Sequence, residues 1–269
     1  MLRCVIIDTN IYVMVLKMKS KKSKIIFIAS LCVFLISLTV LVVYMLPTIF
    51  APKKKETVSK PSTPSVSSQE PLPDNPKNFD ELEAQNPDIY AWISVPGTAV
   101  DYPVVQSGED KPENFYLNHG LDGKYLFAGC IYTQRLNNKD FHDPNTVLYG
   151  HNMMNGSMFG TLLDFRNVDF FNQNKYIYIY TRGHILTYQI YAAYRFDNRH
   201  LLNSFNLYDP KVFEEYLEIT KNPKSLIMNI DSSVQLDVNS RIITLSTCIT
   251  NDNYRYLVQG VLIDDQPTN

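Results

Sequence analysis

The sequence predicts a mainly β domain, a closed or nearly closed, antiparallel-rich barrel of about eight strands. A short helix opens it and another lies between two late strands. Three observations predict this. Gly is scarce, at 10 residues, against 18 Tyr and 14 Phe, a balance that suits strands with aromatic faces. From Trp92 onward, short β-prone runs alternate with Gly, Asn, Asp and Pro. Helical spacing is confined to short stretches near Phe79, Met158 and Pro210.

The elements follow in order. "NFDELEAQNPDIYAWI" has Asn78 or Asp80 as a cap and Phe79, Leu82 and Ile89 on one face, so it predicts a short helix that breaks near Pro87. "AWISVPG", "AVDYPVVQ", "NFYLNH", "LFAGCIYTQ" and "NTVLYGH" read as strands. "MFGTLLDFRNVDFF" is helical in its first half. "KYIYIYTRGHILTYQIYAAYRF" is a long hairpin turning at Arg182-Gly183. "DPKVFEEYLEITKNP" is an amphipathic helix with Asp209 as cap, Pro210 in its first turn and Pro223 beyond its end. "RIITLSTC" and "RYLVQGVLI" are the last strands.

Ahead of this domain, Ile25 to Phe50 contains no charged residue and is long enough to cross a bilayer. Its length and bulky end favour an uncleaved anchor over a signal peptide. Lys17, Lys19, Lys21, Lys22 and Lys24 precede it, and Lys53, Lys54 and Lys55 follow. The larger cluster sets residues 1–24 in the cytoplasm and the C-terminal part outside. "MKSKKSKIIF" from Met18 reads as a complete start, so residues 1–17 are expected to be a start-site extension, which N-terminal sequencing tests. Residues 51–77, rich in Pro, Ser and Lys, form an extracellular linker with too few apolar residues to build a core. The globular domain then runs over 78–266.

Net charge is −2, which gives no polyanion-binding surface and excludes nucleic acid as an expected partner. The four cysteines, Cys4, Cys32, Cys130 and Cys248, do not form a disulfide framework. No zinc-type spacing, phosphate loop or dinucleotide fingerprint occurs, so no metal and no cofactor is expected.

The chemistry concentrates in "TLSTCITNDNYRY". Cysteine is often just a small buried hydrophobe. Here Thr244, Ser246 and Cys248 alternate on one strand face and Ile243 and Leu245 on the other, so the polar face is expected to line a groove. A thiol nucleophile needs a proton acceptor, and five histidines compete for the role. His142 lies in a polar loop, His184 borders a hairpin turn, and His119 and His200 follow strand-like runs. His151 ends the strand "NTVLYG" and opens the loop "NMMNGS", a position that is both rigid and exposed. Arg255 opens the strand paired to the one that ends at Cys248. It is either a strand-edge charge or an oxyanion-stabilising cation.

"TLSTC" with a strand-initial arginine, and "YGHNM" about a hundred residues earlier, resembles the sortase family. "AWISVPGTAVDYPVVQ", "YLNH" and "YGHNMMNGSMFG" narrow the resemblance to class B. It covers nearly all of Asn78 to Asp264 and implies a sortase-type closed β-barrel. It further implies a cysteine transpeptidase on the outer face of a Gram-positive membrane, with Cys248 as nucleophile, His151 as catalytic histidine, Arg255 as catalytic arginine and Ser246 in contact with substrate. The implied reaction cleaves a C-terminal sorting motif of secreted proteins after Thr. A thioester forms, and the protein passes to an amine of peptidoglycan or of a pilin. Two departures stand out: the loop from Cys248 to Arg255 is short, and Cys130 reads as a core substitution. The residues alone leave two rivals, a secreted cysteine peptidase or other thiol-dependent wall enzyme, and a non-enzymatic tethered binding domain.

Overall fold

The computed structural model describes residues 72–248 and 253–269. The expected cytoplasmic segment, anchor and most of the linker lie outside these residues. No helix among the described residues is long and apolar enough to cross a membrane.

Helix α1 (Phe79–Gln85) starts where the Asn78 side chain accepts from the amides of Asp80 and Glu81. Strands β1 (Ile89–Ser94) and β2 (Asp101–Val105) form an antiparallel pair. Next come β3 (Ile131–Tyr132) and β4 (Asn145–Tyr149), then a 3-10 turn (Gly160–Arg166) running into α2 (Val168–Gln173). Strands β5 (Tyr176–Thr181) and β6 (His184–Asp197) make the expected hairpin, which turns at Arg182-Gly183 with Gly183 at φ 87°. After α3 (Leu201–Ser204) and α4 (Pro210–Lys221) come β7 (Met228–Ile230), β8 (Ile242–Cys248) and β9 (Tyr254–Pro267). Asp209 caps α4 by accepting from Lys211 N.

The strand order is β5-β1-β2-β3-β4-β8-β9-β6-β7, and β5 also pairs with β6. That extra pairing closes β5 through β6 into the eight-stranded barrel that the sequence predicts, and β7 hangs off the far half of β6. Two junctions, β2–β3 and β4–β8, are parallel. Closure removes sheet edges that would otherwise expose unpaired backbone groups.

The interior is filled by alternate residues of each strand, among them Ile93, Val104, Leu148, Ile179, Ile243, Leu245 and Val258, together with Phe159 and Phe165 from the segment after β4. A second core lies outside the barrel, where α4 sets Phe213, Tyr216 and Leu217 against Val147, Ile242 and Leu257. Residues 72–77 touch the barrel: Asn75 donates to Thr181 O at 2.8 Å, and Lys77 sits over the Trp92 ring at 4.0 Å.

Some sequence expectations fail locally: "LFAGCIYTQ" keeps only Ile131–Tyr132 as strand, and "MFGTLLDFRNVDFF" has its α-helix in the second half, after a 3-10 turn. "NFYLNH" is a 3-10 turn over Phe115–Leu117 rather than a strand. Its Tyr116 hydroxyl donates to Asp88 Oδ2 at 2.6 Å and accepts from Asn86 at 2.9 Å, and this fold-back is incompatible with an extended run. The Thr244 part of the polar face is not a groove. Thr244 is fully buried beneath α4, donating to Asn145 Oδ1 and accepting from Gln259 Nε2, both at 2.8 Å. Gln259 also donates to Tyr216 OH and accepts from Tyr194 OH, each at 2.9 Å. A covering helix turns what reads as a polar face into a closed hydrogen-bonded layer.

Candidate active site

Strand β8 has β4 as its parallel neighbour and β9 as its antiparallel one. Both β4 and β8 therefore end at the rim where β9 begins. Tyr149 is level with Ser246, Gly150 N donates to Ser246 O at 3.3 Å, and Cys248 stands opposite Arg255. The ends of β4 and β8 and the start of β9 thus meet at one rim, with His151 two residues beyond β4 and Cys248 and Arg255 facing each other in the β8–β9 ladder.

The chain is shaped locally to hold His151. Gly150 has no room for a side chain: a Cβ there would lie 2.5 Å from Ile131 Cδ1 and 2.8 Å from the Phe159 ring. The following loop folds back, with Phe159 N donating to His151 O at 2.9 Å and Met158 N donating to Tyr102 OH at 3.1 Å. Met158 takes φ 55° to make this turn. The imidazole is fixed twice. Its Nε2 lies 2.9 Å from Leu117 O and, facing a carbonyl, must carry the proton it donates. Phe127 stacks on the ring at 5.4 Å and 18°.

A groove of about 330 Å³ runs along this rim. His151, Ser246 and Arg255 line it, with Tyr149, Phe196 and His200. Ser246 is nearly buried, so it offers a narrow polar contact in the floor. Arg255 donates to Tyr254 O at 3.3 Å. Burial raises the Tyr149 phenol above its ordinary range, and the nearby Arg255 charge opposes that rise. A larger hollow of about 680 Å³ beside Ser233, Asp237 and Arg241 has neither histidine nor cysteine in its walls, so it offers no thiol and no imidazole.

The sequence reading missed two groove residues. Tyr149 has a buried hydroxyl with no hydrogen-bond partner among the described residues, and its place directly before Gly150-His151 is the signal that could have found it. His200 is the second groove histidine. Its Nδ1 accepts from Asn203 N at 3.2 Å, which requires that nitrogen unprotonated, and its Nε2 meets Gln134 Oε1 at 2.5 Å. Both ring nitrogens serve the structure, so His200 is a poor proton shuttle. The other histidines lie outside the groove lining: His119 stacks on Phe115, His142 pairs with Asp140 and His184 with Asp265. Cys130 is a buried free thiol. Its Sγ lies 3.4 Å from His119 O, and burial first, then the Asp122 charge, push its pKa up to about 11. It is therefore held as an unreactive thiol at neutral pH. No group of three or more potential metal ligands occurs among the described residues.

Comparison with known proteins agrees with this architecture. The sortase domain model matches residues 93–263. Sortase B of Listeria monocytogenes is 32% identical over 188 residues, covering 68% of this chain and 73% of that protein. Sortase B of Staphylococcus aureus is 30% identical over 185 residues, covering 69% and 72%. The X-ray structure of Clostridium perfringens sortase B superposes with a TM-score of 0.61 at 36% identity, covering 70% of this chain and 100% of that one. A Staphylococcus aureus sortase B–substrate complex gives a TM-score of 0.59 at 29% identity, covering 69% and 84%. With its barrel, its rim of converging strand ends and these relatives, the chain belongs to the sortase family of cell-surface cysteine transpeptidases, and within it to class B.

Proposed function

We propose that this chain is a membrane-anchored sortase that cleaves a C-terminal sorting motif after Thr and transfers the protein to an amine of peptidoglycan or of a pilin. Residues 25–50 are the single-pass anchor, 51–77 the linker and 78–266 the catalytic domain, with residues 1–24 cytoplasmic and the catalytic domain outside the cell. Cys248 is the nucleophile, His151 the acid–base group and Arg255 the oxyanion partner, and Ser246 contacts substrate.

An ordinary thiol, with a pKa of about 8.5, is only partly ionised at neutral pH, and a nearby imidazolium favours the thiolate. The thiolate attacks the Thr carbonyl carbon. The resulting oxyanion is stabilised by the Arg255 guanidinium, whose planar fork suits a developing negative oxygen. Imidazolium then gives its proton to the leaving amine, and the thioester remains. Nδ1 of His151 suits this exchange because Nε2 is engaged with Leu117 O. A second amine attacks the thioester, gives its proton to His151 and expels the thiolate.

The observation that supports this reading is the convergence of the β4, β8 and β9 ends on one groove. The experiment incubates the purified protein with fluorogenic peptides carrying Thr–Gly or Thr–Asn bonds, with and without an added amine. Cleavage after Thr and an amine-linked product are expected. Hydrolysis alone at every amine concentration would make it a peptidase, and the absence of any cleavage would contradict the reading.

A further inference from the structure

A second hollow, of about 460 Å³, adjoins the groove: Phe196, Asp197 and Arg199 line both. The contact lies close to the chemistry, because Phe196 stands opposite Arg255 and Asp197 opposite Tyr254 in the β6–β9 ladder. The hollow itself carries none of His151, Ser246 or Arg255. Its other walls include Arg195, Tyr254 and Lys224.

The charge in this hollow is unbalanced. Arg199 is neutralised by Asp197 through two 2.7 Å hydrogen bonds. Arg195 sits over the Tyr254 ring at 4.5 Å. Among the described residues, neither Arg195 nor Lys224 has a carboxylate within ion-pair distance. Among the described residues that line it, three cations thus face one acid, beside aromatic walls and next to the groove.

We propose that this hollow binds a carboxylate of the incoming amine acceptor and so selects short peptide acceptors that end in a free carboxylate. The inference rests on the transpeptidase reading above. The acceptor fits better than the acyl donor for a chemical reason. An acceptor amine must be uncharged to attack, and neighbouring positive charge disfavours its ammonium form. The same charge attracts the acceptor's carboxylate, and Arg195 offers a forked donor for it. One basic hollow therefore both holds the acceptor and helps to strip its proton. In the step it serves, the amine nitrogen forms a bond to the thioester carbonyl carbon and the carbon–sulfur bond breaks. The amine's proton passes to His151, and the electron pair leaves as the Cys248 thiolate.

The test uses the purified full-length protein, a fluorogenic Thr–Gly or Thr–Asn peptide as donor, and two acceptors that differ only in charge, triglycine and triglycinamide. The readout is the ratio of amine-linked to hydrolysed product. A preference for triglycine of roughly fivefold is expected, the size of one or two partly exposed charge-assisted contacts. Lys224→Gln, at an exposed position, and Arg195→Gln should each shrink that preference, and the double variant should abolish it. Equal use of both acceptors by the wild type would overturn the proposal, as would a preference that survives the double variant. A third arm places an Asp after the scissile bond of the donor. If the variants change kcat/KM only for that donor, the carboxylate recognised belongs to the donor and the proposal fails. Amide chemical-shift changes at Arg195 and Tyr254 on adding triglycine, absent with triglycinamide, read binding without turnover. They keep a failure of this site distinct from a failure of the transpeptidase reading.

Discussion

Adding one methyl group at Gly150 tests how the fold holds His151. In Gly150→Ala the new Cβ would lie 2.5 Å from Ile131 Cδ1 and 2.8 and 2.9 Å from two Phe159 ring atoms. Both neighbours are fully buried, so neither can swing into solvent. Overpacking of this kind costs about 1–3 kcal/mol. For a domain of this size each kcal/mol lowers Tm by about 2–4 °C, so a fall of roughly 2–12 °C is expected in thermal melting. Turnover should fall further than stability does. Phe159 N anchors the His151 carbonyl, so displacing Phe159 moves the histidine. A displacement of about 1 Å at a catalytic group can cost about a hundredfold in rate. Ile131→Val removes the Cδ1 atom of the closest clash, so the double variant should recover part of both losses. An unchanged Tm with unchanged turnover would refute the reasoning, as would a double variant no better than Gly150→Ala.

Other outcomes follow from the same geometry. Arg255→Lys keeps the charge but loses the planar fork, so kcat should fall by roughly 10²–10³ with folding intact by circular dichroism; full activity would reduce Arg255 to a strand-edge charge. His151→Ala should cripple turnover nearly as much as Cys248→Ala, read in the same peptide assay. Cys130 gives a pH prediction. Its folded-state pKa, at about 11, lies above the unfolded value of about 8.5, so its contribution is intact below pH ~8.5 and lost as pH rises toward 11. Denaturant unfolding of wild type should therefore lose stability more steeply over that window than Cys130→Ala, and parallel slopes would count against the buried thiol. Protease added to intact wall-stripped cells should release the domain if residues from Lys53 onward lie outside, and full protection would mean the orientation is inverted.

Much of the fold was legible because its signals are local. The β5–β6 hairpin shows two long β-prone runs around Arg182-Gly183, and α4 carries its own cap and first-turn proline. What was not legible depends on tertiary partners. Phe115–Leu117 turns because Tyr116 reaches Asp88 and Asn86, which nothing in its own run announces. β3 keeps only Ile131–Tyr132 of a longer apolar run, since β2 pairs with it at those two residues alone and β4 at Tyr132. The short β7 and α3 have no periodicity to read. In the groove, His151 was legible as a histidine at a strand end entering a loop. His200 was not, because its place in the groove comes from a distant contact with Gln134. Thr244 misled because alternation reports which residues share a face, and only the position of α4 decides whether that face is open.

The central claim is that Cys248 becomes acylated. The most direct measurement is intact-mass spectrometry of the enzyme, quenched in acid during turnover of a Thr–Gly or Thr–Asn peptide, followed by mapping of the modified fragment. The account predicts an added mass equal to the acyl half of the peptide, on the fragment that contains Cys248, lost on treatment with hydroxylamine and absent in Cys248→Ala. An adduct on another residue, or peptide cleavage that persists in Cys248→Ala, would contradict it.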